Sequence, residues 1–255
     1  MRALRLLAVG WALHFKMLSR SSFNGALGIL YPLFFATVAF FLYREGSPHA
    51  LLYASLGASV MGVWSATSTT AGAALQRERW HGTLELLVAA PAPFSLVMLP
   101  VTIAMATIGL YSMAATLLWG RLVFGIELHI VHPLLFFIAV PATVISIGMF
   151  GFLIAVAFVR YRTAWALGNA LEYPVWLICG FLVPLTLFPS WVRPISWVLA
   201  PTWGMRGIRE SALGGSPLPD IGLCLALGAV YTAIGVLAVN RVLDSARARA
   251  TLSLT

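Results

Sequence analysis

The chain has 255 residues, of which 60% are hydrophobic and only 9% are charged, and its mean hydropathy is +0.93. Soluble domains have about a quarter of their residues charged, so this composition excludes an ordinary soluble protein and predicts one whose solvent is largely lipid. The net charge of +8 is typical of nucleic-acid binders, but basic residues that orient membrane-spanning helices explain it as well.

Residues 1–22 are predicted to form an amphipathic helix in the plane of the lipid headgroups. At 100° per residue, the larger apolar side chains share one side of this helix and the basic ones lie opposite. The apolar side consists of Leu4, Leu7, Trp11, Phe15 and Leu18, and the basic side of Arg2, Arg5, Lys16 and Arg20. A signal peptide is disfavoured because bases follow the apolar segment directly and no small-residue cleavage site is present.

Six apolar segments follow, each long enough for one membrane-spanning helix. About 20 helical residues cross the hydrocarbon core, and none of the segments holds two crossings with a turn between them. The predicted fold class is therefore an all-α polytopic membrane protein, with a domain over 23–240 and a cytoplasmic tail over 241–255. Its predicted spans are about 23–43, 50–75, 95–120, 133–158, 164–188 and 221–240.

The second span carries a small residue at every fourth position. The stripe consists of Ala54, Ala58, Gly62, Ala66, Thr70 and Ala74. Such spacing keeps one side of a helix thin and lets a neighbouring helix approach closely. The pattern predicts close packing, with the neighbour either in the same subunit or in another.

The segment 76–94, between the second and third spans, predicts a short amphipathic helix on the cytoplasmic surface. Gly82 can form a turn and Thr83 can cap the helix, and Glu85 then lies in the first turn, where its charge suits the helix dipole. Pro91 ends the element. The helix is either an ordinary connection or a docking site for a soluble partner.

Glu172 is the one carboxyl predicted within a span. Counted from Arg162 at the inner edge, ten residues at about 1.5 Å each place it about 15 Å deep. A charge there is costly, so the side chain is expected to face protein or water, be protonated, or mark the substrate path. With Asn169 and Tyr173 it forms the predicted substrate path, and Pro174 is expected to bend the helix. The structural alternative is a neutral carboxylic acid bonded across helices.

The segment 189–219, between spans five and six, is predicted to be an outer re-entrant or interfacial element. Its stretch from Pro194 to Met205 is too short to cross and contains two prolines. Tryptophan and arginine are interleaved here, which suits the headgroup level. The residues concerned are Trp191, Trp197 and Trp203 with Arg193, Arg206 and Arg209.

The distribution of bases predicts the orientation of the chain. With the N-terminus in the cytoplasm, the inner segments hold eleven of the sixteen bases and the outer segments hold five. Loops rich in Lys and Arg stay on the cytoplasmic side, so both termini are predicted to be cytoplasmic.

No cofactor or metal site is predicted in this chain. A P-loop needs a glycine-rich turn followed by lysine, and Lys16 is the only lysine and follows no such turn. Cys179 and Cys224 lie in apolar runs and are predicted to be buried. His129 and His132 have no thiolate or carboxylate beside them, which disfavours a metal site.

Two motifs resemble the ABC-2 type transporter permeases, the membrane subunits of many bacterial exporters. The first motif consists of Glu78, Gly82-Thr83-Leu84-Glu85, Leu87 and Pro91. The second is looser and consists of Gly180 to Pro184, Phe188 to Trp191, and Pro201-Thr202-Trp203 with Arg209. Ala200 departs from the family pattern, in which many members have asparagine before this proline.

The resemblance implies a transport subunit that is not itself an enzyme. ATP and Mg would bind two copies of a separate ABC ATPase, which would push on the predicted helix of the segment 76–94, the coupling segment. A second permease, identical or paralogous, would complete the complex. The implied ATPase-coupling residues are Arg77, Glu78, Arg79, Gly82, Thr83 and Glu85. The implied outer gate consists of Pro184, Pro189, Trp191, Pro201 and Arg209.

By this resemblance, the predicted function is export of a hydrophobic or amphipathic compound, such as a drug, an antibiotic or a lipid-linked glycan, across a bacterial inner membrane. One alternative is a secondary transporter, which usually has ion-coupling groups and an internal repeat. Another is an intramembrane enzyme, which needs several converging reactive groups where only Glu172 is predicted. The predicted partners are the ATPase, a second permease, lipid and the substrate, and no nucleic acid.

Overall fold

The computed structural model describes residues 2–20, 30, 33–34, 36–41, 43, 48–80, 82, 93–160 and 164–249, with backbone alone at 2, 48, 69–80, 157–160, 164–169 and 242–249. The described residues form helices and connections, without a strand. A helical stretch at 36–41 precedes α2, and a 3₁₀ turn, Leu185–Leu187, separates α5 from α6. The helices are α1 Arg2–Ser19, α2 Pro48–Trp80, α3 Phe94–Phe124, α4 Pro133–Arg160, α5 Ala164–Ile178, α6 Val192–Trp197, α7 Ala200–Leu213 and α8 Pro217–Arg249.

Four helices in the described part of the chain are long and apolar enough to cross a membrane. They are His49–Ser68, Phe94–Phe124, Pro133–Val156 and Pro217–Arg241. These correspond to the predicted second, third, fourth and sixth spans, as expected for a polytopic membrane protein. Much of the predicted first span, 23–43, lies outside the described residues, as do most of the coupling segment and the end of the tail.

The helix of the predicted fifth span, α5, ends at Ile178 instead of continuing to 188. Gly180 has a φ of 70°, in the left-handed region that favours glycine. The N–H of Gly180 donates to the carbonyl of Leu177, and the N–H of Phe181 donates to that of Trp176. This pair of bonds is a Schellman C-terminus, which satisfies two carbonyls of the last helical turn. The chain therefore leaves the helix at a turn, residues 180–182.

α2 is the central helix of the described structure. It packs against α3, α4, α5 and α7, and Ala54 and Ala58 of the small-residue stripe are fully buried. α3 approaches it closely, since a Cβ added at Gly109 would lie 2.5 Å from the Cα of Val63. The described part of the stripe therefore packs within this chain, and the side chains of its last two positions lie outside the description.

The apolar side of α1 that was expected to meet lipid packs against α3 instead. Trp11 Nε1 donates a hydrogen bond to Thr107 Oγ1 at 3.1 Å, and the Phe15 ring stacks on Tyr111 with centroids 6.2 Å apart. Gly10 allows this approach, since a Cβ there would lie 3.1 Å from Pro100. Trp11 and Phe15 of the predicted apolar side therefore contact α3, whereas Leu4 of the same side is 73% exposed.

A second apolar side of α1 is exposed. It lies roughly opposite the side that packs on α3 and consists of Leu6, Val9, Leu13 and Met17, which are 49 to 61% exposed. Exposed bases lie beside it at Arg5, Lys16 and Arg20. α1 therefore has apolar side chains on two sides, one used for packing within the chain and one facing its surroundings.

α8 fixes the connection between α6 and α7. The Tyr231 hydroxyl donates to the carbonyl of Val198 and accepts the N–H of Ala200 at 3.0 Å. Ala200 occupies the position at which asparagine was expected by resemblance, so in this chain the tyrosine of a neighbouring helix holds the beginning of α7. The result is a fixed starting point for the helix that carries Arg209.

Candidate functional site

Two buried ionisable side chains connect α2 to α5 and to the turn at 180–182. Glu172 of α5 and Arg209 of α7 are 5% and 7% exposed, and each contacts α2. Their contacts on α2 are at Ser65 and Tyr53, which are 12 residues or about 18 Å apart along the helix axis. The two contacts form the candidate site.

The Glu172 contact joins α5 to the middle of α2. Ser65 Oγ donates to Glu172 Oε1 at 2.5 Å, and this is the hydrogen bond that the described residues give the carboxyl group. No base within the described side chains forms an ion pair with it. A buried carboxyl with a neutral donor is either protonated or able to bind a cation.

The other two residues of the predicted substrate path are placed differently. Tyr173, next to Glu172 in the sequence, is 47% exposed, and its ring makes an edge contact with Trp176 at 5.2 Å between centroids. Consecutive residues of a helix point about 100° apart, which separates the tyrosine from the buried carboxyl. Asn169 lies on α5 about one turn before Glu172, and its side chain lies outside the description.

The Arg209 contact joins α7 to the turn and to α2. Nη1 donates to the carbonyl of Gly180 at 2.7 Å, and Nη2 donates to the carbonyl of Phe181 and, at 3.3 Å, to that of Tyr53. The guanidinium carbon lies 3.3 Å from the centroid of the Tyr53 ring. Nη1 and Nη2 are therefore satisfied by carbonyls, while Nε has no partner among the described residues.

The electrostatics of this contact do not involve an acidic partner within the described part of the chain. Burial lowers the pKa of the Arg209 guanidinium to about 10, opposed by its interaction with Tyr53. The group is therefore protonated at neutral pH. The carbonyls at the end of α5 carry partial negative charge, which favours a cation at that position.

Two further residues hold the same turn. The Tyr43 hydroxyl donates to the carbonyl of Leu182 at 3.0 Å, so three successive carbonyls of the turn accept side-chain donors. Gly57 of α2 faces the turn beside Arg209, and a Cβ there would lie 1.6 Å from the Phe181 oxygen and 2.7 Å from Arg209 Nη2. Only glycine fits this approach, which brings α2 against the turn without a side chain between them.

The remaining predicted gate residues are spread along the outer segment. Pro184 precedes the 3₁₀ turn and Pro201 is buried at the start of α7, where its fixed φ suits the first helical turn. Pro189 and Trp191 are exposed before α6. The structure therefore places Arg209 and the chain leading to Pro184 together, and leaves the α6 end of the segment on the surface.

The coupling residues are described only in part. Arg77, Glu78 and Arg79 continue α2 without a break, with their side chains outside the description. Gly82 lies in an exposed turn with a φ of 67°. Thr83 and Glu85 lie outside the described residues, so their roles stay predictions.

A second polar group lies beside the Arg209 contact. Arg206 pairs with Glu210 at 3.7 Å and with the buried Asp220 at 3.6 Å, and its guanidinium lies 5.0 Å from the Trp203 ring. These pairs connect α7 to the start of α8 and do not reach the turn at 180–182.

The two histidines and the two cysteines considered as possible metal ligands differ in their exposure. His129 and His132 are exposed in the connection before α4. Cys179 and Cys224 are free and buried, which confirms that prediction.

Sequence reasoning missed the partners of both charged groups. Ser65, Tyr53 and Gly57 carry no motif, and α2 contains other serines, such as Ser55 and Ser59, that bond to their own helix. The only available signal was indirect: a buried carboxyl and a buried guanidinium each require donors or acceptors on a neighbouring helix. Such a requirement does not say which residue supplies them.

Comparison with known families decides what kind of protein this arrangement belongs to. The model of the ABC-2 type transporter family matches residues 5–213, which is most of the chain and includes both contacts. The chain belongs to the ABC-2 type transporter family. A comparison with curated proteins gave no significant match.

Membership of this family gives the chain its general role. It is the membrane-spanning permease subunit of an ABC transporter and works with a separate ABC ATPase subunit, since the permeases of this family have no ATPase of their own. The long apolar helices agree with a multi-pass membrane protein. α2, α5 and α7, which form the two contacts, all lie within the matched region.

Proposed function

We propose that this ABC-2 permease subunit exports a hydrophobic or amphipathic compound, such as a drug, an antibiotic or a lipid-linked glycan, across the bacterial cytoplasmic membrane. The observation that carries the proposal is the continuity of α2, which runs unbroken from Pro48 to Trp80. This one helix joins the coupling motif at one end to the Glu172 contact in its middle.

The coupling mechanism follows from this continuity. Two copies of the ATPase bind ATP and Mg and press on the coupling segment 76–94, where Arg77, Glu78, Arg79 and Glu85 form ion pairs that set the docking register. Gly82 and Thr83 begin the docking helix after α2. Ser65 lies 15 residues, or about 22 Å, from Trp80 along the same helix. A displacement at the coupling end therefore reaches the Glu172 contact without crossing a hinge.

The substrate path is proposed at Glu172, with Asn169 and Tyr173. A buried carboxyl that receives only a neutral Ser65 donor from the described side chains is able to hold a positively charged group of an amphipathic molecule. We infer that a second permease, identical or paralogous, closes the path from the other side, so that two subunits alternate between inward and outward openings.

The membrane placement assigns a role to the exposed side of α1. With both termini cytoplasmic, Leu6, Leu13 and Met17 enter the inner leaflet and the bases Arg5 and Lys16 lie at its headgroups. At the opposite surface, the segment with Pro184, Pro189, Trp191, Pro201 and Arg209 forms the outer gate, through which the compound leaves outward or into lipid.

The experiment that tests the proposal is charge reversal at the coupling segment. In vesicles that contain the permease and its co-purified ATPase, Glu85→Arg is expected to lower ATP-driven efflux of a fluorescent amphipathic cation at least tenfold, because the ion pairs that set the docking register are lost. Glu127→Arg is the matched control, since Glu127 is an exposed glutamate of the α3–α4 connection.

Equal efflux by wild type and Glu85→Arg, at equal amounts of inserted protein, contradicts the coupling assignment. Efflux that requires an ion gradient and ignores ATP indicates a secondary transporter instead.

A further inference from the structure

We propose that Arg209 is a positioning residue that fastens the turn at 180–182 to α2, so that the stretch after the turn, residues 183–199, moves whenever α2 moves. The proposal rests on the proposed function in one respect, the ATP-driven movement of α2. The fastening itself rests on the contacts of the described side chains. They are the bonds of Arg209 to two successive turn carbonyls, its stacking on Tyr53, and the close approach of Gly57.

The chemistry of the contact explains why it holds the elements together. Each partner of the Arg209 guanidinium is a backbone carbonyl or the Tyr53 ring, so its partners move rigidly with α2 and with the turn. Separation of the turn from α2 would deprive the buried cation either of its two turn carbonyls or of its contacts with Tyr53, and loss of a bond to a buried charge is more costly than loss of an exposed ion pair. The contact therefore favours joint movement over gradual separation.

The geometry of the contact requires arginine. Its planar fork presents Nη1 and Nη2 together and reaches the carbonyls of Gly180 and Phe181 at the same time. A lysine retains the positive charge but has a single ammonium at the end of a flexible chain, and it does not stack on Tyr53 in the same way. Arg209→Lys thus removes the fastening while it keeps the charge.

The stretch 183–199 is held at both of its ends by these contacts. Arg209 holds the turn that precedes it, and Tyr231 holds Ala200, where α7 begins. The stretch between them, 183–199, includes Leu187, which is 74% exposed, and the exposed Trp191. Because Arg209 joins its first end to α2, a displacement of α2 shifts this stretch relative to α8.

The test measures the accessibility of the stretch 183–199 in the complete transporter. Leu187→Cys supplies an exposed thiol, whereas the native Cys179 and Cys224 are buried. Labelling by a membrane-impermeant maleimide is followed in vesicles without nucleotide and after trapping with ATP and vanadate. In the protein that carries Leu187→Cys alone, the labelling rate without nucleotide and the rate after trapping are expected to differ.

In Arg209→Lys the two rates are expected to become equal, and the nucleotide-free rate is expected to change by about tenfold, the factor that corresponds to loss of one hydrogen bond to a charged group. Arg206→Lys is the matched control, because Arg206 lies one turn earlier on α7 and does not contact the turn. It is expected to retain the response to nucleotide.

Gly57→Ala tests the same contact from the side of α2, since its Cβ would lie 2.7 Å from Arg209 Nη2. Its methyl group would displace the Phe181 carbonyl, so it is expected to abolish the difference between the two rates as Arg209→Lys does. Gly222→Ala is its control, since a Cβ there meets nothing within 4 Å. If Arg209→Lys does not fold, Gly57→Ala still tests the proposal.

The outcomes separate this proposal from the proposed function. A nucleotide response that persists in both Arg209→Lys and Gly57→Ala overturns the fastening and leaves ATP-driven transport intact. If the unmodified protein shows no nucleotide response but both variants change the nucleotide-free rate, the fastening stands and the proposed function fails. If the unmodified protein shows no nucleotide response and neither variant changes the nucleotide-free rate, both the fastening and the proposed function are overturned.

Discussion

The contacts of Glu172 and Arg209 with α2 are built in opposite ways. Glu172 receives one hydrogen bond from a serine hydroxyl within the described residues, whereas Arg209 donates to three backbone carbonyls and stacks on a ring. The carboxyl contact depends on a single rotatable group. The guanidinium contact engages the backbone of two elements. The carboxyl contact is therefore the easier of the two to break, and the guanidinium contact is the one that joins two backbone elements.

The largest expected effect is on stability, at the guanidinium contact. Arg209→Met leaves the carbonyls of Gly180 and Phe181 buried without their donors and is expected to lower the free energy of unfolding by about 2–4 kcal/mol. Thermal unfolding of the purified protein in detergent measures this. Arg193→Met, a change at an exposed arginine of α6, is the control and is expected to alter the melting temperature very little. Equal melting temperatures for Arg209→Met and Arg193→Met would show that the Arg209 contact does not stabilise the fold, and its contrast with the Glu172 contact would be lost.

A smaller effect, and one on transport rather than stability, is expected at the carboxyl contact. Glu172→Gln keeps an oxygen that accepts the Ser65 bond but removes the negative charge. Transport of an amphipathic cation is expected to fall about tenfold, the equivalent of one lost charge-assisted bond, while transport of a neutral analogue stays the same. The two efflux rates in reconstituted vesicles measure this selectivity. If both substrates are transported at wild-type rates, Glu172 is a structural carboxylic acid.

The smallest effect is expected at the serine. Ser65→Ala removes one donor and is expected to cost about 1 kcal/mol of stability, less than the change at Arg209. A double-mutant cycle with Glu172→Ala checks that the cost comes from this contact, because the double variant then loses less than the sum of the single ones. Strict additivity would show that the two side chains do not interact in solution.

Composition and run length predicted four helices that the structure shows to be long and apolar enough to cross a membrane. Lipid-facing helices must be apolar over about 20 residues, so the second, third, fourth and sixth predicted spans correspond to the long apolar helices of the structure. The end of α5 was not predictable in this way. The apolar run continues through Gly180, and the left-handed turn there depends on contacts that no run length records.

Periodicity placed Trp11 and Phe15 on one side of α1, but it did not predict that they pack against α3. Lipid and the apolar side of α3 favour the same side chains, so Trp11 and Phe15 suit either partner. The same limit applies at the candidate site. Glu172 and Arg209 were identified from the sequence, Glu172 as a lone intramembrane carboxyl and Arg209 by resemblance. Their partners were not, because Tyr53, Gly57 and Ser65 become special only through the pairing of helices.

The glycine at position 57 also limits the kind of movement that α2 is able to make. Rotation of the helix about its axis by one residue would bring Leu56 or Ala58 to the Phe181 carbonyl, at a spacing that has no room even for a Cβ. Sliding or tilting together with the turn meets no such obstacle. The contact at Gly57 therefore blocks rotation of α2 about its own axis relative to the turn. During a transport cycle, α2 is expected to translate and tilt without such a rotation.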